Sequence, residues 1–173
     1  MTSWKTSRGL TFLEQLIVCG LLALILSLAV PGFGQMSAAL QMRRAVSEIK
    51  GFMDQSRSEA VLRNQDLWAH ISDTSNATSK GYWKLTLTNS EWVGEGEVIL
   101  VIDSRSFPSI AIDWNYSVDQ IKFDAQRGRV KNGTLSLYLV DDDQQMLRVK
   151  SAFSNNRVMI CGVGEARFGY SVC

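Results

Sequence analysis

The chain has 173 residues, 46% of them hydrophobic, and carries 18 basic against 17 acidic side chains. That length fits one folded domain plus an anchoring segment. With Lys5, Arg8 and Glu14 of the N-terminal region set aside, the remainder is formally neutral, which excludes a global electrostatic pull on nucleic acid or anionic lipid and leaves only local patches.

Residues 1–9 form a short polar leader, too short and wrongly flanked for an ordinary secretory signal peptide. Leu10 to Val30 is an apolar run of twenty-one residues in which Glu14 is the single ionisable carboxylate. At ~1.5 Å rise per residue such a helix is ~30 Å long, enough to cross a bilayer core, and residues 10–33 are assigned as a transmembrane helix half. Lys5 and Arg8 precede the run and no basic residue follows until Arg43. The short N-terminal end therefore stays cytoplasmic, and the bulk of the chain lies beyond the inner membrane, in the periplasm. A lone carboxylate inside an apolar helix costs about 2.5–3.5 kcal/mol on insertion scales, which marks Glu14 as a functional-site candidate. The bland alternative is a boundary residue reaching to the headgroups. Pro31, Gly32 and Gly34 then loosen or kink the helix, because proline removes a backbone donor and clashes with the preceding turn.

Helical periodicity resumes over 34–64. Met42, Val46, Ile49, Met53 and Ala60 form one apolar stripe, with charged residues covering most of the other faces and an end near Leu62-Arg63-Asn64. From residue 65 to 173 the pattern is that of strands. Asp66–Ile71 and Tyr82–Thr88 alternate around a polar loop at 72–81, and Asn89-Ser90 turns the chain toward Glu91-Trp92-Val93. Further strand candidates are Val98–Asp103, Ser109–Trp114, Gln120–Asp124, Thr134–Val140, Met146–Lys150 and Arg157–Cys161, separated by turn signals such as Gly94-Glu95-Gly96 and Asn132-Gly133. One long helix followed by many short strands predicts an α+β domain with antiparallel sheet packed on the helix.

The run Gly9-Leu10-Thr11-Phe12-Leu13-Glu14 resembles the type III signal sequence of type IV pilins and type II secretion pseudopilins. The resemblance implies a long bent N-terminal helix on a β head. It also implies cleavage by a prepilin peptidase between Gly9 and Leu10 and N-methylation of Leu10, which stands where the family usually has phenylalanine. Glu14 would be the fifth mature residue and Pro31 the twenty-second, where the family often carries a helix-bending proline. In a packed bundle, the Glu14 carboxylate would pair with the freed amino terminus of a neighbour and so set the register of assembly. Asn156 to Gly164, with the later Cys173, resembles the end of the GspH/FimT branch of minor pilins and minor pseudopilins. Partners implied are the peptidase, the inner membrane, and other major and minor pilins or pseudopilins.

Cys19 reads as a small hydrophobe inside the apolar run. Cys161 and Cys173 lie in the exported part, where an oxidising periplasm favours a disulfide over a metal site, and no His or third Cys stands near them. Closing that loop is worth about 3 kcal/mol on the entropy model and pins the residues leading to Cys173. His70 lies mid-strand without a nucleophile motif and reads as structural. Asp141-Asp142-Asp143 lacks the alternating ligands of a calcium loop and reads as a solvated hairpin turn. The glycines at 162 and 164 do not follow a phosphate-loop plan. No cofactor and no enzyme activity are implied. Some FimT-like pilins bind DNA through basic residues near the C-terminus. The matching candidates are Arg148, Lys150, Arg157 and Arg167, with Arg127, Arg129 and Lys131 as a second cluster; neutral net charge and the lack of aromatic interleaving weigh against them. The sequence reading is thus a minor type IV pilin supporting pilus assembly, with a minor pseudopilin of a type II secretion system and a DNA-binding pilin as alternatives.

Overall fold

In the computed structural model the described residues are 11–73, 82–153 and 157–173, with side chains except those of 28–35. A single helix, α1 (Phe12–Arg63), runs without a break through Pro31. The chain divides within it into two units, Met1–Ser37 and Ala38–Cys173.

In the first unit Thr11 caps the helix. Its hydroxyl accepts from the Glu14 backbone N–H at 3.3 Å and its carbonyl from Gln15 at 3.2 Å. These contacts satisfy donors that a helix start otherwise leaves orphaned. Glu14 thus occupies the third helical position, where a carboxylate also meets the positive end of the helix dipole. From there to residue 27 apolar side chains are exposed on every face: Phe12 and Leu13 are 80% and 68% exposed, and the consecutive Leu24, Ile25 and Leu26 are exposed as well. Among the described residues no helix is long and apolar enough to cross a membrane. The stretch with described side chains, 12–27, is about 24 Å long against a bilayer core of about 30 Å.

In the second unit the predicted stripe is the core face of α1. Met42, Val46, Ile49, Met53 and Ala60 are fully buried, joined by Ala45 and Phe52. Arg44–Glu48, Lys50–Asp54 and Arg63–Glu59 pairs line the solvent side at i,i+4 spacing. The helix ends in two C-terminal capping bonds, Asn64 N–H to Val61 O and Gln65 N–H to Ala60 O, with Asn64 in the left-handed region at φ 50. Asparagine tolerates that conformation better than a branched residue.

The strands are β1 (Leu67–Asp73), β2 (Trp83–Thr88), β3 (Val98–Asp103), β4 (Ile110–Trp114), β5 (Gln120–Phe123), β6 (Gly133–Leu139), β7 (Asp142–Ala152) and β8 (Arg157–Gly162). They form two antiparallel four-stranded sheets rather than one, ordered β3-β2-β1-β5 and β4-β6-β7-β8. The strand positions agree with the alternation in the sequence, and Leu67, Ala69, Leu85, Leu87, Leu135, Leu137, Leu147 and Val149 all point inward. Segment 89–97, including Glu91-Trp92-Val93, is a loop. The sheets are tied together by Trp83, whose indole N–H donates to Ile110 O at 2.9 Å while its ring lies parallel to Phe107 at 6.2 Å.

Two local features depart from the sequence reading. The turn between β6 and β7 is Val140-Asp141, and Asp142 and Asp143 already belong to β7. The register jumps from Tyr138↔Met146 to Leu139↔Asp142, so residues 143–145 bulge out of the ladder. Asp142 holds the bulge by accepting from the Gln144 backbone N–H and the Gln145 side chain. The acidic run is thus divided: Asp141 completes the hairpin turn read from the sequence, and Asp142 and Asp143 open a strand carrying a bulge. Second, Gly133 has Tyr116 lying across it. A Cβ there would fall inside the Tyr116 ring, and Tyr116 is buried with its hydroxyl 2.7 Å from Ser151 Oγ, which in turn bonds Lys131 O at 2.6 Å. Burial pushes the Tyr116 phenol up to about 12.

Candidate functional site

The predicted processing residues Gly9 and Leu10 lie outside the described residues, as does the Pro31 side chain. Glu14 is exposed at the first turn of the all-round apolar segment. A helix with apolar side chains on every face is stable only when surrounded, by lipid or by other helices. Cys19 sits exposed on the same segment.

Cys161 and Cys173 are joined in a disulfide. The tail it closes folds back beside β8. Val172 forms a parallel bridge to Gly162, Gly162 N–H donates to Ser171 O at 2.8 Å, and Cys173 N–H donates to Gly162 O at 3.0 Å. The tail thus shields the outer edge of β8, an edge that would otherwise present unpaired backbone groups. Phe168 and Tyr170 of the same tail pack against the core.

The four basic candidates near the C-terminus separate into three and one. Arg148 and Lys150 alternate with buried Leu147 and Val149, so both stand on the outer face of β7. On β8 Cys161 lies opposite Arg148 and Met159 opposite Lys150, which places Arg157 on the same face one step further along. Arg167 sits on the tail, paired with Glu165 at 2.7 Å, and its Nε is buried without a hydrogen-bond partner among the described residues. In the second cluster, Arg129 lies over the Phe153 ring at 4.9 Å and the Lys131 ammonium donates to Ser117 O at 3.2 Å. These contacts leave that cluster occupied with the head's own groups. His70 is buried, with Nε2 within hydrogen-bond reach of Thr88 Oγ1 and Ser90 O, a structural placement.

Two further hollows share the outer face of the β4-β6-β7-β8 sheet. One, of about 290 Å³, lies between Asp113 and Arg148 over Ser136 and Thr134. The other, of about 600 Å³, is lined by Asp113, Tyr138, Asp143, Met146 and Arg167. Burial raises the Tyr138 phenol pKa, and the nearby Asp113, Asp73 and Asp143 carboxylates raise it further. Sequence reasoning named Arg148 and Arg167 and weighed Asp143, but it missed Asp113 and Tyr138 and the grouping itself, because these residues come from three strands and the tail.

Comparison with known proteins decides the family. The family profile described as Type II transport protein GspH matches residues 45–163, well over half of the chain. The chain belongs to the GspH family. The matched span covers most of the core-facing half of α1 and nearly all of the GspH-family head, leaving out the apolar segment, Met42 and the disulfide's second cysteine. The fold of this GspH chain is similar to a crystal structure of the type IV minor pilin FimU of Pseudomonas aeruginosa (TM-score 0.54, 12% identity, 68% of this chain and 86% of that one). It is also similar to the minor pseudopilin EpsH from the type 2 secretion system of Vibrio cholerae (TM-score 0.50, 16% identity, 71% of this chain and 98% of that one). A sequence search among curated proteins gives no match. The head is therefore of the fold seen in this minor pilin and this minor pseudopilin.

Proposed function

We infer that this GspH-family chain is a minor type IV pilin, made as a prepilin, anchored in the inner membrane by residues 10–33, cut between Gly9 and Leu10, and methylated on Leu10. The β head, residues 65–173, stands on the amphipathic half, 34–64, in the periplasm and makes subunit contacts in a pilus or its tip complex. The observation that carries this reading is the exposed, all-round apolar stretch 12–27 of α1 with Glu14 in its first turn. Such a surface is stable in a membrane and, after extraction, among like helices in a filament core. Removing Glu14 as Glu14→Ala is expected to lower incorporation into filaments without lowering the amount of membrane-held subunit. Equal incorporation would discard the register role.

A clean deletion, scored both for sheared surface pili and for type II exoprotein export, tests the assignment to a machine. Loss of pili with export intact supports the pilin; loss of export with pili intact makes the chain a minor pseudopilin. A second reading, contact with DNA, is favoured by Arg148, Lys150 and Arg157 sharing one face. Gel shifts across a salt series test it, since phosphate contacts weaken steeply as salt rises.

A further inference from the structure

The outer face of the β4-β6-β7-β8 sheet holds charges that the fold leaves unspent. Asp113, Ser136 and Arg148 stand in one cross-strand row, Asp113 opposite Ser136 and Ser136 opposite Arg148. Strands are about 4.8 Å apart, so the two charged residues are roughly 10 Å apart at the backbone with only a serine side chain between them. Neither side chain has a hydrogen-bond or ion-pair partner among the described residues. The hollow of about 290 Å³ is the gap between them. In the next row, Ala111, Tyr138 and Met146 face one another, and the larger hollow opens there toward Asp143 and the tail.

The second hollow has a definite sign. Arg167 is neutralised by Glu165, while Asp143 accepts, among the described residues, only from the neighbouring Gln144 amide at 3.1 Å. Asp113 and Asp143 therefore give the space over the Tyr138 ring a net negative character. The Tyr138 phenol responds to both carboxylates. The described residues contain no cluster of ligands fit to hold a metal ion there. A cation that suits the space is organic: a lysine ammonium or arginine guanidinium, held by two carboxylates and the face of a tyrosine ring.

We propose that this face is a docking groove for an extended peptide segment of another protein, which seats a lysine or arginine between Asp113 and Asp143 over Tyr138 and turns an acidic or carbonyl oxygen toward Arg148. The proposal holds whichever filament the subunit joins, and its test does not depend on pilus or export phenotypes. It also separates the groove from nucleic acid, because Asp113 and Asp143 repel phosphate.

The full chain in detergent is titrated by fluorescence polarisation with short labelled peptides that differ only in a central lysine, norleucine or glutamate, and with a labelled DNA duplex. The lysine peptide is expected to bind and the norleucine and glutamate peptides to bind more weakly. Asp113→Asn with Asp143→Asn is expected to weaken the lysine peptide about five- to tenfold, as two partly exposed charge contacts are lost. Ser136→Trp, which fills the gap between Asp113 and Arg148, is expected to abolish binding, with an unchanged thermal melt confirming that the variant is folded. The proposal is overturned if the lysine peptide does not bind, if the glutamate peptide binds as well, or if the double Asp variant is unaffected. It is equally overturned if the DNA binds on this face in preference to the lysine peptide and tightens when the two carboxylates are removed.

Discussion

Gly133→Ala is a one-methyl change with a large expected cost. The added Cβ would overlap the buried Tyr116 ring, so the ring must leave its place or β6 must shift at its first residue. The ring is 4% exposed, and its hydroxyl belongs to a chain running through Ser151 Oγ to Lys131 O. Overpacking alone costs about 1–3 kcal/mol. Losing the Tyr116–Ser151 bond adds about 0.5–1.5 kcal/mol, for a total near 3 kcal/mol. Tyr116→Phe removes only the hydroxyl and should cost about 1 kcal/mol. Tyr116→Ala leaves a cavity and should cost about 3–5 kcal/mol by itself. The double variant Gly133→Ala/Tyr116→Ala should cost no more than Tyr116→Ala, because the clash has gone. Urea unfolding of the full chain in detergent, followed by near-UV circular dichroism, measures all four. If Gly133→Ala costs under about 0.5 kcal/mol, or its cost adds to that of Tyr116→Ala in full, the contact is not what makes glycine necessary.

Other perturbations follow from single contacts. Lys122 donates to Asp66 at 2.6 Å, and this bond, with help from the Ala125 N–H, lowers the Asp66 carboxyl pKa from 3.8. A depressed carboxyl stabilises the fold above its unfolded pKa and stops doing so as the pH falls through the folded value. Lys122→Met should therefore flatten the acid limb of stability below about pH 4; an unchanged acid limb would remove the pair from the account. Tyr116 works at the other end, since a phenol raised to about 12 keeps its contribution below pH 10 and loses it between 10 and 12. Tyr116→Phe should make the alkaline limb shallower over that window in a pH-jump unfolding series. Cys173→Ser should loosen the tail before it loosens the core. Hydrogen exchange at the Gly162 and Tyr170 amides should speed up while that at Leu135 and Val149 stays slow, and uniform acceleration would mean that the disulfide supports the whole head.

How much was legible in the sequence depended on how far apart the interacting residues lie. The α1 stripe from Met42 to Ala60 and the eight strands were readable because both patterns are local periods of about 3.6 and 2. The helix stop at Asn64 was readable in position but not in mechanism, since nothing local distinguishes a left-handed asparagine from an ordinary one. Pairing was not readable. β4 and β5 follow one another, yet they enter different sheets, and no period records that exchange. The pairing of Gly133 with Tyr116, seventeen positions upstream, was equally hidden. Among the candidate site residues, parity alone put Arg148 and Lys150 on one face, but bringing Arg157 to them required the β7–β8 register, and pairing Arg167 with Glu165 required the folded tail. Asp113 and Tyr138 drew no notice because each is unremarkable until β6 and β7 set them beside Asp143.

The exchange of β4 and β5 between sheets also sets an order in time. β6, β7 and β8 are consecutive hairpin neighbours, and closing such short loops loses little chain entropy. β5 must instead find β1 from about fifty residues away, placing Phe123 opposite Leu67. Local pairings form faster than distant ones. The strands from Gly133 to Gly162 should be protected first in a pulse-labelled refolding experiment, and 120–123 last; early protection of β5 would contradict this. A refolding chain would then pass through a state in which the strand bearing Arg148 is already paired on both sides while β1 still waits for its edge partner β5.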